Sequence, residues 1–420
     1  MAPAVSDSHQ PRLRRELGLL SATGLGLGAV MGAGIFVVIG VAAGVAGPAF
    51  LVGLGLAGAV AACNGLSSAQ LAARYPQSGG TYEYGYELLG PAAGFAAGWM
   101  FLVGKLAAAG TVALGCGQYV AAVWPGLPAT WVTPGVVLLL TGANLVGINK
   151  AGTLNLLLVG LTLTALGVFA VAGIPAVEAA NLSPFVRHGW SGVAESSALL
   201  FFAYAGYARL ATLGEEVRDP GKNIPRAILA TLVLSFLVYL AVGLVAVGTV
   251  GADALARSPA PLELAAARIG IAGVGGLLAL GACTAMSGVL LSQILGLSRM
   301  LLAMTRRGDL PAWLGAIDPQ RGIPRRAVLL TGAIALGLAL VGSIEAVVAA
   351  AAFSILLYYA IANAAALRLP PPPRRYPPWI AWVGLAACLA MAGSLRGSTI
   401  VAGLGWLAAG FVVRWVVRRS

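Results

Sequence analysis

The chemistry open to this sequence is mostly that of its own backbone. In GAVMGAGIFVVIG, residues 28–40, glycines 28, 32, 34 and 40 interrupt a stretch apolar enough to sit in a bilayer. Glycine inside a helix costs about 1 kcal/mol relative to alanine, so such a cluster has a cause. One cause is close helix packing through small residues, which Gly24, Gly28 and Gly32 offer at four-residue spacing. The other is a broken helix whose freed N–H and C=O groups bind a polar solute. A second interruption, AGYAR at 205–209, falls five apolar segments later. A repeat of an odd number of spans enters the membrane the second time from the opposite side, so matching interruptions in the two copies favour the solute-binding reading.

Side-chain chemistry is sparse. Lys105, in GWMFLVGKLAAAG, lies about ten residues into the third apolar segment, hence about 15 Å deep. A charge there is expensive and faces the bundle interior. It either pairs with helix-end carbonyls and holds broken helices together, or it is a coupling group whose protonation changes during a transport cycle. Thr284 and Ser287, three residues apart in the eighth segment, offer hydroxyls to a sodium ion, although such hydroxyls more often bond the preceding turn of their own helix. His9 and His188 lie outside the apolar segments, and Cys63, Cys116, Cys283 and Cys388 lie inside them without CxxC spacing. No metal site, cofactor or disulfide framework is expected. The acids lie in connections or near segment ends, which argues against a membrane enzyme.

Those groups must be positioned by membrane-spanning helices. At 59% hydrophobic and 10% charged residues, the chain is too apolar for a water-soluble surface. Its polar start lacks the pattern of a cleaved signal, so the first span is expected to stay in the mature chain. Twelve segments are long enough to cross about 30 Å of hydrocarbon. They fall near 17–43, 48–73, 95–122, 131–148, 151–174, 193–213, 227–250, 271–304, 326–343, 345–367, 379–395 and 398–417. The joins at 148–151, 343–345 and 395–398 are where one kinked helix could pass for two. With the N-terminus inside, 21 basic residues fall on the inner side and four on the outer, the asymmetry expected of cytoplasmic loops. The basic residues are scattered over short loops, so the net charge of +12 indicates anionic lipid rather than nucleic acid. The expected division is a cytoplasmic tail (1–16), a first repeat (17–174), an inverted second repeat (193–367), a proline-rich cytoplasmic linker (368–378) and a final helix pair with a short cytoplasmic C-terminus (379–420).

Four stretches together carry a family resemblance. They are GAVMGAGIF, AQLAARYPQSGGTYEYGYELLG, FFAYAGYARLATLGEEVRDPGKNIPRAI and LSRMLLAMTRRGDLPAWL. In this order they resemble the amino acid/polyamine/organocation transporters over the first ten segments. The resemblance implies an all-α fold of the leucine-transporter type, a five-plus-five inverted repeat with helices one and six broken, followed by two further helices. It also implies a solute site. Backbone N–H groups of Gly32, Ala33 and Gly34 would hold an α-carboxylate, as a helix N-terminus can. Carbonyls of Val30, Phe202 and Ala205 would hold the ammonium group, with Phe202 and Tyr207 as gating aromatics. Some proton-coupled relatives have a lysine on the fifth span, where this sequence has Thr162; Lys105 is the candidate replacement.

Two departures bear on the solute. Ala208 stands where cation-handling members have glutamate, and Gln70 stands where glutamate is common. A buried cationic side chain would then have no counter-charge. The expected function is secondary active transport of a neutral amino acid across the cytoplasmic membrane, coupled to protons or to exchange and less readily to sodium. A cationic amino acid or polyamine antiporter is the alternative, and a non-transporting amino acid sensor is the alternative of another class. A channel is disfavoured because no carbonyl-filter sequence is present. With 23 arginines to three lysines, the composition points to a GC-rich prokaryotic genome.

Overall fold

A computed structural model describes residues 17–75, 79–146, 152–211, 217–318, 321–370 and 374–419, with side chains omitted at 152–155 and 211. The expected N-terminal tail, Lys150, and Glu215 and Glu216 of the sixth-segment motif lie outside the described residues. All regular structure described is helical, as a chain in lipid requires when every backbone group must be satisfied within its own segment.

The first apolar segment is two helices, α1 (Leu19–Val30) and α2 (Ile39–Ala46), separated by a π-helical turn over Gly34–Val38. There follow α3 (Phe50–Arg74), α4 (Thr81–Leu89), α5 (Pro91–Val123), α6 (Ala129–Val146) and α7 (Gly152–Gly173). The sixth segment is α8 (Gly189–Tyr204), a 3₁₀ turn Ala205–Tyr207, and α9 (Ala208–Ala211). Next come α10 (Pro220–Val250), the short α11 (Ala252–Arg257) and α12 (Pro261–Ile269), and α13 (Val274–Arg306). The chain closes with α14 (Arg325–Val341), α15 (Ile344–Leu367), α16 (Pro378–Ser394) and α17 (Gly397–Val417).

Among the described residues, eight helical stretches are long and apolar enough to cross a membrane, fewer than the twelve segments expected. The difference has local causes. α1 is cut to 12 residues by its break, and the helix after that break runs on into α3. α8 ends after 16 residues at the second break, and α14 and α16 are 17 residues each. The joins at 343–345 and 395–398 are interruptions, with extended Gly342 and Ser343 before α15 and extended Leu395 before α17, whereas the join at 148–151 lies outside the described residues.

Connections between the expected spans hold helices of their own. The stretch 74–94 contains α4 and already begins α5 at Pro91, while 251–270 contains α11 and α12. α5 and the stretch running from the first break through α3 are the most buried of these helices, each with 72% of its most apolar part inside; α17 is peripheral, with 17% inside. α15 and α16 are tied to α3 by a polar cluster in the core. Asn363 donates to Asn64 Oδ1 at 2.6 Å, and Asn64 donates to the Cys388 sulfur at 3.2 Å.

Candidate functional site

α1 stops because Met31 adopts an extended conformation (φ −77°, ψ 102°), which removes the next helical hydrogen bonds. Helical geometry resumes at Ala33, and its first N–H groups, at the positions expected to hold a carboxylate, have no preceding turn to bond. In the sixth segment the α-helix tightens into the 3₁₀ turn at 205–207, where the sequence reads AGY.

The two breaks lie against each other. A Cβ on Gly34 would stand 2.5 Å from the Ala203 Cα, and one on Gly206 would stand 2.0 Å from the Ala29 carbonyl oxygen. Each break therefore has a glycine where the backbone of the other segment passes. Gly32 faces Val289 of α13, where a Cβ would meet the valine methyl at 3.0 Å. The packing reading and the broken-helix reading of the glycines thus describe one arrangement.

Side chains from other helices cap the freed carbonyls. The Tyr239 hydroxyl of α10 lies 3.0 Å from the Val30 oxygen and 3.2 Å from the Ala203 oxygen, so one phenol spans both breaks. Tyr359 of α15 donates to the Ala205 oxygen at 3.4 Å. Both tyrosines are buried. Sequence reasoning missed them, although a phenol within an otherwise apolar helix is a signal that a polar partner waits inside.

Phe202 is half-buried and packs on Ala107 and Ala108 of α5 and Ala351 of α15. Tyr207 is fully buried and stacks on Tyr359 with centroids 5.4 Å apart. Lys105 is half-buried one helical turn from Ala108. Among the described residues no acid pairs with it, and the charged group acting on it is the Arg209 guanidinium. Arg209, on α9, is exposed and donates to the Ser292 hydroxyl of α13. The breaks are thus approached by two cations from this side.

The sodium candidates separate. Thr284 bonds its own helix, at 2.8 Å to the Leu280 oxygen and 3.1 Å to the Gly281 oxygen. It also lines a small crevice with Gly28, Met31 and Thr162, between α1, α7 and α13. Ser287 instead lies beside the Cys116 thiol of α5. No group of three or more metal-binding side chains occurs among the described residues.

At the end of the bundle carrying α4, a charge network joins three elements. Asp309 is fully buried and accepts from Tyr82 at 2.8 Å, from Tyr86, from Arg414 at 2.9 Å and from Arg418 at 3.1 Å. Arg307 pairs with Glu83 and stacks over the Tyr86 ring at 4.4 Å. Burial and the bond to Asp309 push the Tyr86 phenol up to about 12, and the Glu83 carboxylate raises Arg307 further. The sequence motif LSRMLLAMTRRGDLPAWL contains two of these residues but does not name their partners on α4 and α17.

Apolar helices around two mutually packed, interrupted helices are the architecture of a multi-pass membrane protein. The family model described as amino acid permease matches residues 22–412, and the chain belongs to that family. An uncharacterized transporter of Mycobacterium tuberculosis is 45% identical over 410 residues, covering 97% of this chain and 92% of the relative. A methylthioribose transporter of Bacillus subtilis is 30% identical, covering 99% and 96%. A branched-chain amino acid permease of the same organism is 27% identical, covering 99% and 95%.

Proposed function

We propose that this transporter moves a neutral amino acid across the cytoplasmic membrane by alternating access. Twelve spans form it, the first ten as a five-plus-five inverted repeat and the last two as an added pair, with the division at 17–174, 193–367, 368–378 and 379–420. Both termini are cytoplasmic, in keeping with 21 inner against four outer basic residues. The N–H groups of Gly32, Ala33 and Gly34 hold the α-carboxylate; the carbonyls of Val30, Phe202 and Ala205 hold the ammonium group. Phe202 and Tyr207 gate the site.

One observation carries this reading: the Val30 carbonyl of the first break and the Ala203 carbonyl just ahead of the second converge on a single hydroxyl, that of Tyr239. A phenol has one proton to give, so two carbonyls share it and a solute ammonium finds an acceptor waiting. A neutral solute is supported by the two cations, Lys105 and Arg209, on the approach. The name of one relative, for branched-chain amino acids, agrees with an uncharged side group. Coupling is to protons through Lys105, or to exchange; sodium held by Thr284 and Ser287 is less well supported because the two hydroxyls face different neighbours.

The test is competition for uptake into proteoliposomes of the purified protein. Neutral amino acids compete, whereas their decarboxylated amines, lacking the group that the N–H donors hold, do not. Equal competition by putrescine or agmatine would transfer the site to a polyamine carrier.

A further inference from the structure

The face of the breaks turned toward α2 is buried, and one hydroxyl bonds to two of the elements that bury it. Residues 30–40 are all buried, whereas Gly28 and Ala29, on the other side of the break, are half-buried and Arg209 is exposed. The cover consists of α11 and α12, which lie on α2 through glycines. A Cβ on Gly40 would stand 2.8 Å from the Leu255 carbonyl oxygen, and one on Gly44 would stand 2.9 Å from the Ala256 Cβ.

Tyr119 of α5 lies where cover, broken helix and central helix meet. Its hydroxyl donates to the Phe36 carbonyl at 2.6 Å. That carbonyl belongs to the π-helical turn Gly34–Val38, whose wide register leaves acceptors open to outside partners. The Tyr119 hydroxyl oxygen in turn accepts from the Leu262 N–H at 3.2 Å, in the first turn of α12. The Tyr119 ring stands edge-on to Phe36, with centroids 5.6 Å apart, and the residue is fully buried. Both capacities of the hydroxyl, one donated proton and one accepted bond, are in use.

We infer that Tyr119 is the latch of the outer closure: whenever the solute path opens to the outside, its hydroxyl releases the Phe36 carbonyl or the Leu262 N–H. Opening there requires the π-helical turn that leads into α2, or α12, to leave α5, and each movement breaks one of the two bonds. The inference rests on the carrier reading and on the orientation proposed above. Tyr119 touches no part of the proposed solute site, so it is a positioning residue that sets how often the outer side opens.

Tyr119→Phe removes both bonds and keeps the ring. The reporter is Ala265→Cys, at a fully buried position one turn beyond Leu262, labelled from outside with a membrane-impermeant maleimide and counted above protein lacking that substitution. Labelling is expected to quicken about fivefold or more in the Tyr119→Phe background, as loss of two hydrogen bonds favours the opened state. Equal labelling rates in folded, solute-binding protein would overturn the latch. A second variant is independent of how Tyr119→Phe folds. Gly44→Cys with Ala256→Cys brings two Cβ atoms close to disulfide range. Oxidation should stop net uptake and reductant restore it, while solute binding from the inner side persists. Full uptake by the oxidised protein would remove α11 and α12 from the outer closure and the latch with them. Failure of every amino acid to bind in the parent protein would instead count against the proposed function.

Discussion

A glycine at the contact between two broken helices has no room for a methyl group. Gly206→Ala would place its Cβ 2.0 Å from the Ala29 oxygen, a backbone atom that cannot rotate away. Transport should fall below a tenth of the parent rate, since misplacing binding groups by about 1 Å costs on the order of 10²-fold. Size-exclusion profiles should show the protein still folded. Gly34→Leu should behave alike, though the structure changes the reason: its side chain would strike the Ala203 backbone before it reached a ligand. Lys105→Met removes the proton-binding group and keeps the apolar stem. The expected outcome is loss of uphill uptake driven by a proton gradient, with exchange of internal for external amino acid retained. Parallel loss of exchange, uptake and folded yield would make the lysine structural. The sequence showed the glycines and the lysine because each violates the composition around it. It did not show Tyr239 or Tyr359, whose partners are carbonyls on helices remote in sequence.

Among the elements, interruptions were legible and their companions were not. Glycine spacing marked the break at 31–34, and AGY marked the turn at 205–207, because helix breaking is a local property. The helices α4, α11 and α12 are short and half-polar, so hydropathy passed over them. α4 is held by the buried carboxylate of Asp309, which accepts from Tyr82, Tyr86, Arg414 and Arg418. Asp309→Ala would leave Arg414 buried and unpaired, a loss of about 3 kcal/mol. A melting temperature several degrees lower, read by intrinsic fluorescence, checks it. Alkali should act on the same contact. The Tyr86 phenol titrates at about 12 against an ordinary 10.0, so its contribution is complete below the lower value and is lost as pH rises through the higher. Phenylalanine at position 86 should remove that alkaline phase.

For the molecule as a whole, composition settled the solvent, and the fold followed from satisfying backbone groups in lipid. Hydropathy could not decide how many helices cross, since a break shortens α1 and α8 below a full span and α14 and α16 end at 17 residues. Nor could it place the packing partners. α5 runs for 33 residues through the centre and carries both Lys105 and Tyr119, but its partners, Phe202 of the sixth segment, Phe36 of the first break and Leu262 of the cover, are brought to it only by the folded chain. The central claim is that two breaks packed together hold an amino acid and release it on either side of the membrane. Counterflow tests it most directly: proteoliposomes loaded with an unlabelled neutral amino acid, and no ion gradient, are diluted into a trace of the labelled one. The parent protein should accumulate label transiently and saturably, and Gly206→Ala should accumulate none. Absence of counterflow across the whole panel of amino acids by folded protein, or undiminished counterflow by Gly206→Ala, would contradict it.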